Sequence, residues 1–166
     1  LTIFAFLTFI VGSFTKAGAF PFHSWIPDYT QTAPASSSAI LPASLDKLLG
    51  IYFLARITHG LFEMTDGMKL LLLSLGVITI IGAVSMALIQ HNFKRLLGFH
   101  AVSQVGYMIL GFGLGSGIGM AAGLFHMVNN AIYKSGLFLA AGSIEMRTGK
   151  ENLEDLGGLS NQMPLT

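Results

Sequence analysis

The chain has 166 residues, 52% hydrophobic and 10% charged, with a mean hydropathy of +0.67. Soluble domains carry about a quarter charged residues, so this composition belongs to the membrane class. The net charge of +1 lacks the basic excess of a nucleic-acid surface, and the absence of cysteine removes disulfides and thiolate ligands for iron–sulfur clusters or structural zinc. Any redox chemistry the protein serves belongs to another chain, and no cofactor is expected in this one.

Five stretches reach or approach the roughly 20 apolar residues that a helix needs to cross a bilayer. They predict an all-α membrane protein with about five transmembrane helices in one domain. The first covers residues 1–22. It starts inside an apolar run with no charged segment before it, so it does not read as a signal peptide. Small residues and proline in Thr15-Lys16-Ala17-Gly18-Ala19-Phe20-Pro21 predict that this helix is discontinuous. A polar connector over 22–38 contains Pro27 and Pro34. Further helices are expected over 39–61, 70–90, 96–115 and 118–144, followed by a polar tail over 145–166. The missing initial methionine and the ending Met163-Pro164-Leu165-Thr166, where another element would begin, lead us to expect an internal fragment.

Glycine alternates at Gly111, Gly113, Gly115, Gly117 and Gly119, but the spacing does not satisfy G-x-G-x-x-G. No strand precedes it, so a tight turn between helices is expected and not a nucleotide loop. Lys94, Arg95, Arg147 and Lys150 fall on one side of the predicted helices, with Arg56 and Lys69 on the other. The positive-inside rule then places the 22–38 connector, the 92–95 loop and the tail in the cytoplasm.

An ionised lysine at the centre of a membrane helix costs roughly 2.5–3.5 kcal/mol on insertion scales, so each such residue needs a reason. Lys134 has more than two turns of apolar sequence on either side. It serves either a structural ion pair or an ion path. His126, Asn130 and Lys134 stand at i, i+4 and i+8 on one helix face, and cover roughly 12 Å of it. Glu145 continues near that face toward the cytoplasmic end. Lys47 follows Asp46 on the second helix, where adjacent side chains point about 100° apart. At least one of them therefore faces another helix. Pro42, one turn earlier, removes a backbone hydrogen bond and opens the helix. Lys16 lies at the predicted break, as a path residue or as a lysine snorkelling to the interface. His100, Gln104 and Tyr107 form a stripe that serves either helix–helix hydrogen bonding or a water path. His91 and His100 read as interfacial, and His23 and Trp25 fit an aromatic belt.

These residues resemble the antiporter-like subunits of respiratory complex I, Mrp antiporters and membrane-bound hydrogenases. The matching motifs are residues 12–28 (GSFTKAGAFPFHSWIPD), 92–111 (NFKRLLGFHAVSQVGYMILG) and 124–143 (LFHMVNNAIYKSGLFLAAGS). Gly157-Gly158-Leu159 with Met163-Pro164 is similar to the segment leading into the family's next helix. The resemblance implies an inverted-repeat fold in which buried lysines, a glutamate and histidines carry protons. Lys16 corresponds to the lysine of the broken helix, Lys134 to the later channel lysine and His126 to the histidine two turns before it. Asn130 departs from the pattern, since many relatives have a second histidine there. The segment 42–47 (PASLDK) looks more like the hydrogenase-associated branch than like the quinone-linked one.

The resemblance also implies the biology. The expected function is proton or sodium translocation within a redox-driven complex of the NADH–quinone oxidoreductase or membrane-bound hydrogenase type. Other membrane subunits and the lipid bilayer are the expected partners, with peripheral redox subunits coupled indirectly. A prokaryotic plasma (inner) membrane is the expected location. Mrp-type sodium/proton antiport, quinone reduction and a purely structural anchor are the rival readings.

Overall fold

The computed structural model describes residues 1–159 and Met163; the remainder of the expected next element, from Pro164 on, lies outside the described residues. Helix α1 (Thr2–Ala17) ends because Gly18 takes the left-handed conformation (φ 74°) and returns its N–H to the Phe14 carbonyl at 2.8 Å. The chain then turns through residues 19–24 and restarts as α2 (Trp25–Thr32). The first membrane segment is thus discontinuous, with its helix ending at residue 17 and not at the expected 22. Pro27 is tolerated in the first turn of α2, where backbone N–H groups have no intrahelical acceptor.

Pro34 then starts α3 (Ala35–Leu61), a 27-residue helix containing π-helical turns at Leu41–Leu45 and Ile57–Leu61. The region expected as an irregular connector therefore holds α2 and the first turn of α3. Three serines make it read as loop. Ser38, however, is fully buried, and proline at a helix start supports helix instead of stopping it. The opening expected at Pro42 takes the form of the first π-helical turn.

Helix α4 (Asp66–Leu88) is capped by Thr65, α5 (Phe93–Gly113) by Asn92 and α6 (Gly117–Thr148) by Ser116; each side-chain oxygen accepts a backbone N–H of the first turn. These caps start the helices before the apolar runs that mark them in the sequence. Helices α3, α4 and α5 are long and apolar enough to span a membrane, and α1 is apolar but shorter. The polar row on α6 lowers its hydropathy, although its 32 residues reach roughly 48 Å, beyond the hydrocarbon core. Among the described residues, extended pairing is limited to a single antiparallel bridge between Asn92 and Asn152.

Small residues set the helix crossings. A Cβ added to Gly106 would come within 2.7 Å of the Gly76 carbonyl, which locks α5 to α4. One added to Gly111 would come within 2.7 Å of the Gly119 carbonyl, which brings α6 against α5. The alternating glycines therefore serve packing as well as the turn, which is made by Gly115 at φ 61°. Gly50 does the same for α3 and α1, with an added Cβ 2.6 Å from the Ala17 nitrogen. Phe6, Phe14, Ile51, Leu54, Met108 and Phe112 fill the space around these crossings.

Candidate ion path

Lys134 sits at the middle of α6 with no exposed surface, and its ammonium meets no hydrogen-bond acceptor among the described residues. Native structures almost always pair such groups, so this one is an exception that calls for a cause. A static ion pair for Lys134 is absent among these residues. Lys47 on α3 is likewise buried, at 2% exposure, and donates from Nζ to the Ala101 carbonyl of α5 at 2.6 Å. Lys47 on α3, Lys134 on α6 and His100 on α5 stand on three helices that pack against one another. His100, expected at the interface, is half-buried on α5, with its Nδ1 enclosed.

Asp46 turns away from Lys47, as the angle between adjacent helical positions requires, and forms an ion pair with Lys16 at the end of α1. The π-helical turn just before Asp46 and the Gly50–Ala17 crossing together place this pair. Lys16 is half-exposed and lines a cleft with Gly12, Thr15, Trp25 and Asp46. The Trp25 indole donates to the Thr15 carbonyl at 3.2 Å, so it braces the helix break.

Along α6, His126 Nε2 lies 2.9 Å from Gln104 Oε1, and Tyr107 meets the imidazole edge-on at 6.1 Å. The stripe on α5 and the row on α6 therefore meet. Asn130 is fully buried and donates from Nδ2 to the Tyr133 hydroxyl at 2.7 Å. Sequence reasoning missed Tyr133, although its i+3 spacing from Asn130 was a signal. It also missed the Ala101 carbonyl, which no side-chain pattern reveals.

Glu145 is placed differently. It accepts from Lys94 at 3.0 Å, and Lys94 reaches Glu151 at 3.4 Å. Glu145 thus belongs to a clamp at the end of the bundle. Asn92 donates to Glu151 at 2.9 Å and His91 pairs with Glu154 at 2.6 Å. Arg95 holds Asp28 at 3.0 Å and Gln31 at 2.7 Å. Lys94, expected as an exposed loop charge, is 3% exposed because the two carboxylates enclose it. Partial burial raises the Glu151 carboxyl, but the Asn92 amide, the Glu145 side chain and Lys94 outweigh it and hold the group below its ordinary 4.5. Among the described residues, no cluster of three or more potential ligands is arranged to hold a metal.

The family model for "NADH:quinone oxidoreductase/Mrp antiporter, TM" matches residues 1–166. The chain is 38% identical to F(420)H(2) dehydrogenase subunit L of Methanosarcina mazei, over 100% of this chain and 25% of that protein. It is 36% identical to formate hydrogenlyase subunit 3 of Escherichia coli, over 94% of this chain and 27% of that protein. Identity to a Na(+)/H(+) antiporter subunit of Alkalihalophilus pseudofirmus is 35%, over 98% of this chain and 22% of that protein. Among solved structures, the Mrp complex of a Dietzia species superposes with a TM-score of 0.88 at 30% identity, covering 93% of this chain and 29% of that one. The archaeal membrane-bound sulfane sulfur reductase gives 0.86 at 33%, covering 94% and 32%. The chain spans about a quarter of the length of these curated relatives. It is a multi-pass membrane segment, and it belongs to the NADH:quinone oxidoreductase/Mrp antiporter transmembrane family.

Proposed function

We propose that this chain carries part of an ion path in an antiporter-like subunit of a redox-driven membrane complex, with the proton as the transported ion. The observation that carries this reading is the Lys134 ammonium, buried without an acceptor among the described residues on a helix packed against the one that holds a second buried lysine, Lys47. A lysine retained only for structure would be paired, because an uncompensated charge in the bundle destabilises it. An apolar surrounding disfavours an ammonium and a nearby carboxylate favours it, so a movement that brings the two together or apart transfers a proton. Lys134, Asn130 and His126 on α6, with Gln104, Tyr107 and His100 on α5, form the inner row of the path. Lys47, Lys16 and Asp46 form its second arm, and Glu145 stands at its cytoplasmic end.

Similarity to components of a dehydrogenase and of a formate hydrogenlyase supports the redox-driven setting. The partners are then further membrane subunits and the surrounding lipid, with peripheral redox subunits coupled at a distance, in a prokaryotic plasma membrane. Mrp-type sodium/proton antiport is the second reading, favoured by the superposition on the Mrp complex. The test uses the full-length protein in its complex in sealed vesicles. Lys134→Met is expected to lower proton uptake by about tenfold or more per turnover of the driving reaction. Undiminished uptake removes Lys134 from the path. Uptake driven by an imposed sodium gradient without electron transfer selects antiport.

A further inference from the structure

The outward face of α6 repeats every seven residues. Ile118, Phe125, Ile132, Leu139 and Met146 stand at this interval, and each is 53–91% exposed. Ala122, Asn129, Gly136 and Ser143 precede the last four of them by three residues, and all are exposed as well. The two rows are the a and d positions of a heptad and make one seam of roughly 42 Å. It lies opposite the buried face that carries Met127, Lys134 and Ala141.

The chemistry of this seam fits a helix and not lipid. Large apolar side chains alternate with small residues along it, and a Cβ added to Gly136 meets nothing within 4 Å. Small residues let a second backbone come close in a membrane, where packing contacts hold helices together. Asn129 stands near the middle of the seam, between Phe125 and Ile132. A carboxamide turned to hydrocarbon has no hydrogen-bond partner, whereas one turned to a neighbouring helix finds it there. A polar residue at an a position also fixes the register of the partner. Toward the end of α6 the seam opens on a cavity of about 570 Å³, lined by Leu139, Ser143 and Met146 with residues 34–36 at the start of α3. The chain spans about a quarter of the length of its curated relatives, so a protein of that length has ample further chain to supply the partner.

We propose that this seam docks a transmembrane helix of the same subunit, from outside residues 1–166, in left-handed packing at about 20°. The partner helix is apolar and carries a hydrogen-bonding side chain level with Asn129. It holds α6 from behind while the opposite face presents Lys134. The seam is independent of the ion-path reading, since none of its residues belongs to the row of His126, Asn130 and Lys134.

The test places the photoreactive residue p-benzoylphenylalanine at position 132, in the full-length protein within its complex. Illumination is expected to join position 132 to a peptide of the same chain outside residues 1–166, identified by mass spectrometry. Any other result overturns the proposal, whether a bond to another subunit, to a second copy of this one, to lipid alone, or no bond. Gly136→Leu gives a second reading. Facing lipid, leucine is the better helix former, and the complex melts at the parental temperature or above. Within the seam the added side chain meets the partner's backbone. The melting temperature is then expected to fall by about 3 °C or more, or assembly to fail. A parental or higher melting temperature overturns the close approach at Gly136, and the seam with it.

Discussion

Lys47 gives its ammonium hydrogen bond to the main-chain carbonyl of Ala101 at 2.6 Å, so a buried positive charge is met by a dipole and not by a carboxylate. A carbonyl solvates the ammonium without neutralising it. Lys134, eight residues beyond His126 on α6, has not even that among the described residues. The bundle therefore holds two lysines whose charge is incompletely compensated.

Replacing Lys47 with methionine removes a charge the bundle solvates only partly and keeps a side chain of similar length. Thermal stability of the purified complex is expected to hold or rise. Ion uptake is expected to fall by about tenfold or more. A variant that melts well below its parent while still pumping contradicts the role given to Lys47.

The Lys16–Asp46 pair behaves differently, because the lysine is half-exposed and its partner 13% exposed. Asp46→Asn is expected to change stability by less than about 1 kcal/mol. In a double-mutant cycle with Lys16→Met, the losses of uptake are expected to be far from additive, because each removes the same pair. Fully additive losses show that the two residues act apart.

The crossing of α1 and α3 is tested without touching a charge. In Gly50→Val the new side chain meets the Ala17 backbone, where even a Cβ would come within 2.6 Å. A loss of about 1–3 kcal/mol in stability is expected, measured by chemical or thermal unfolding in detergent. Uptake falls with it, since the crossing aligns Lys16 with Asp46. Parental stability in this variant contradicts the crossing.

Much of this arrangement is legible in the sequence, for reasons that differ by residue. Lys134 stands out because apolar sequence surrounds it, and His126 and Asn130 because helical periodicity puts them on its face. The divergence of Asp46 from Lys47 follows from geometry, and the discontinuity of the first segment from Gly18 and Pro21. The partners are not legible, since pairing between helices depends on crossings made by glycines. Nothing local tells Lys47 to seek Ala101, or Asp46 to seek Lys16. The serines at 36–38 mislead because polarity signals a loop, whereas here Ser38 is buried inside a helix that Pro34 starts. Lys94 reads as a loop charge because its carboxylates are more than 50 residues away.

The end clamp supplies a pH prediction. The Glu151 carboxyl lies below its ordinary 4.5 in the folded protein, so it binds protons less readily there than in the unfolded chain. Its contribution is fully present above about pH 4.5 and is lost as pH falls through the folded value. The Phe93 amide, bonded to the Glu151 carbonyl at 3.1 Å, and the Leu153 amide, bonded to the His91 carbonyl at 2.9 Å, report the clamp. Their hydrogen-exchange protection factors are expected to stay level from neutral pH to about pH 5 and to drop below it. Protection that is unchanged at about pH 3.5–4 contradicts the clamp.

The most direct measurement pairs stability with transport in Lys134→Met, made in the full-length protein within its complex. The ammonium is buried and without an acceptor among the described residues, so an equal or higher melting temperature is expected together with lost ion uptake. A lower melting temperature with uptake preserved would contradict the ion path, and would make Lys134 a structural residue whose partner lies elsewhere in the protein.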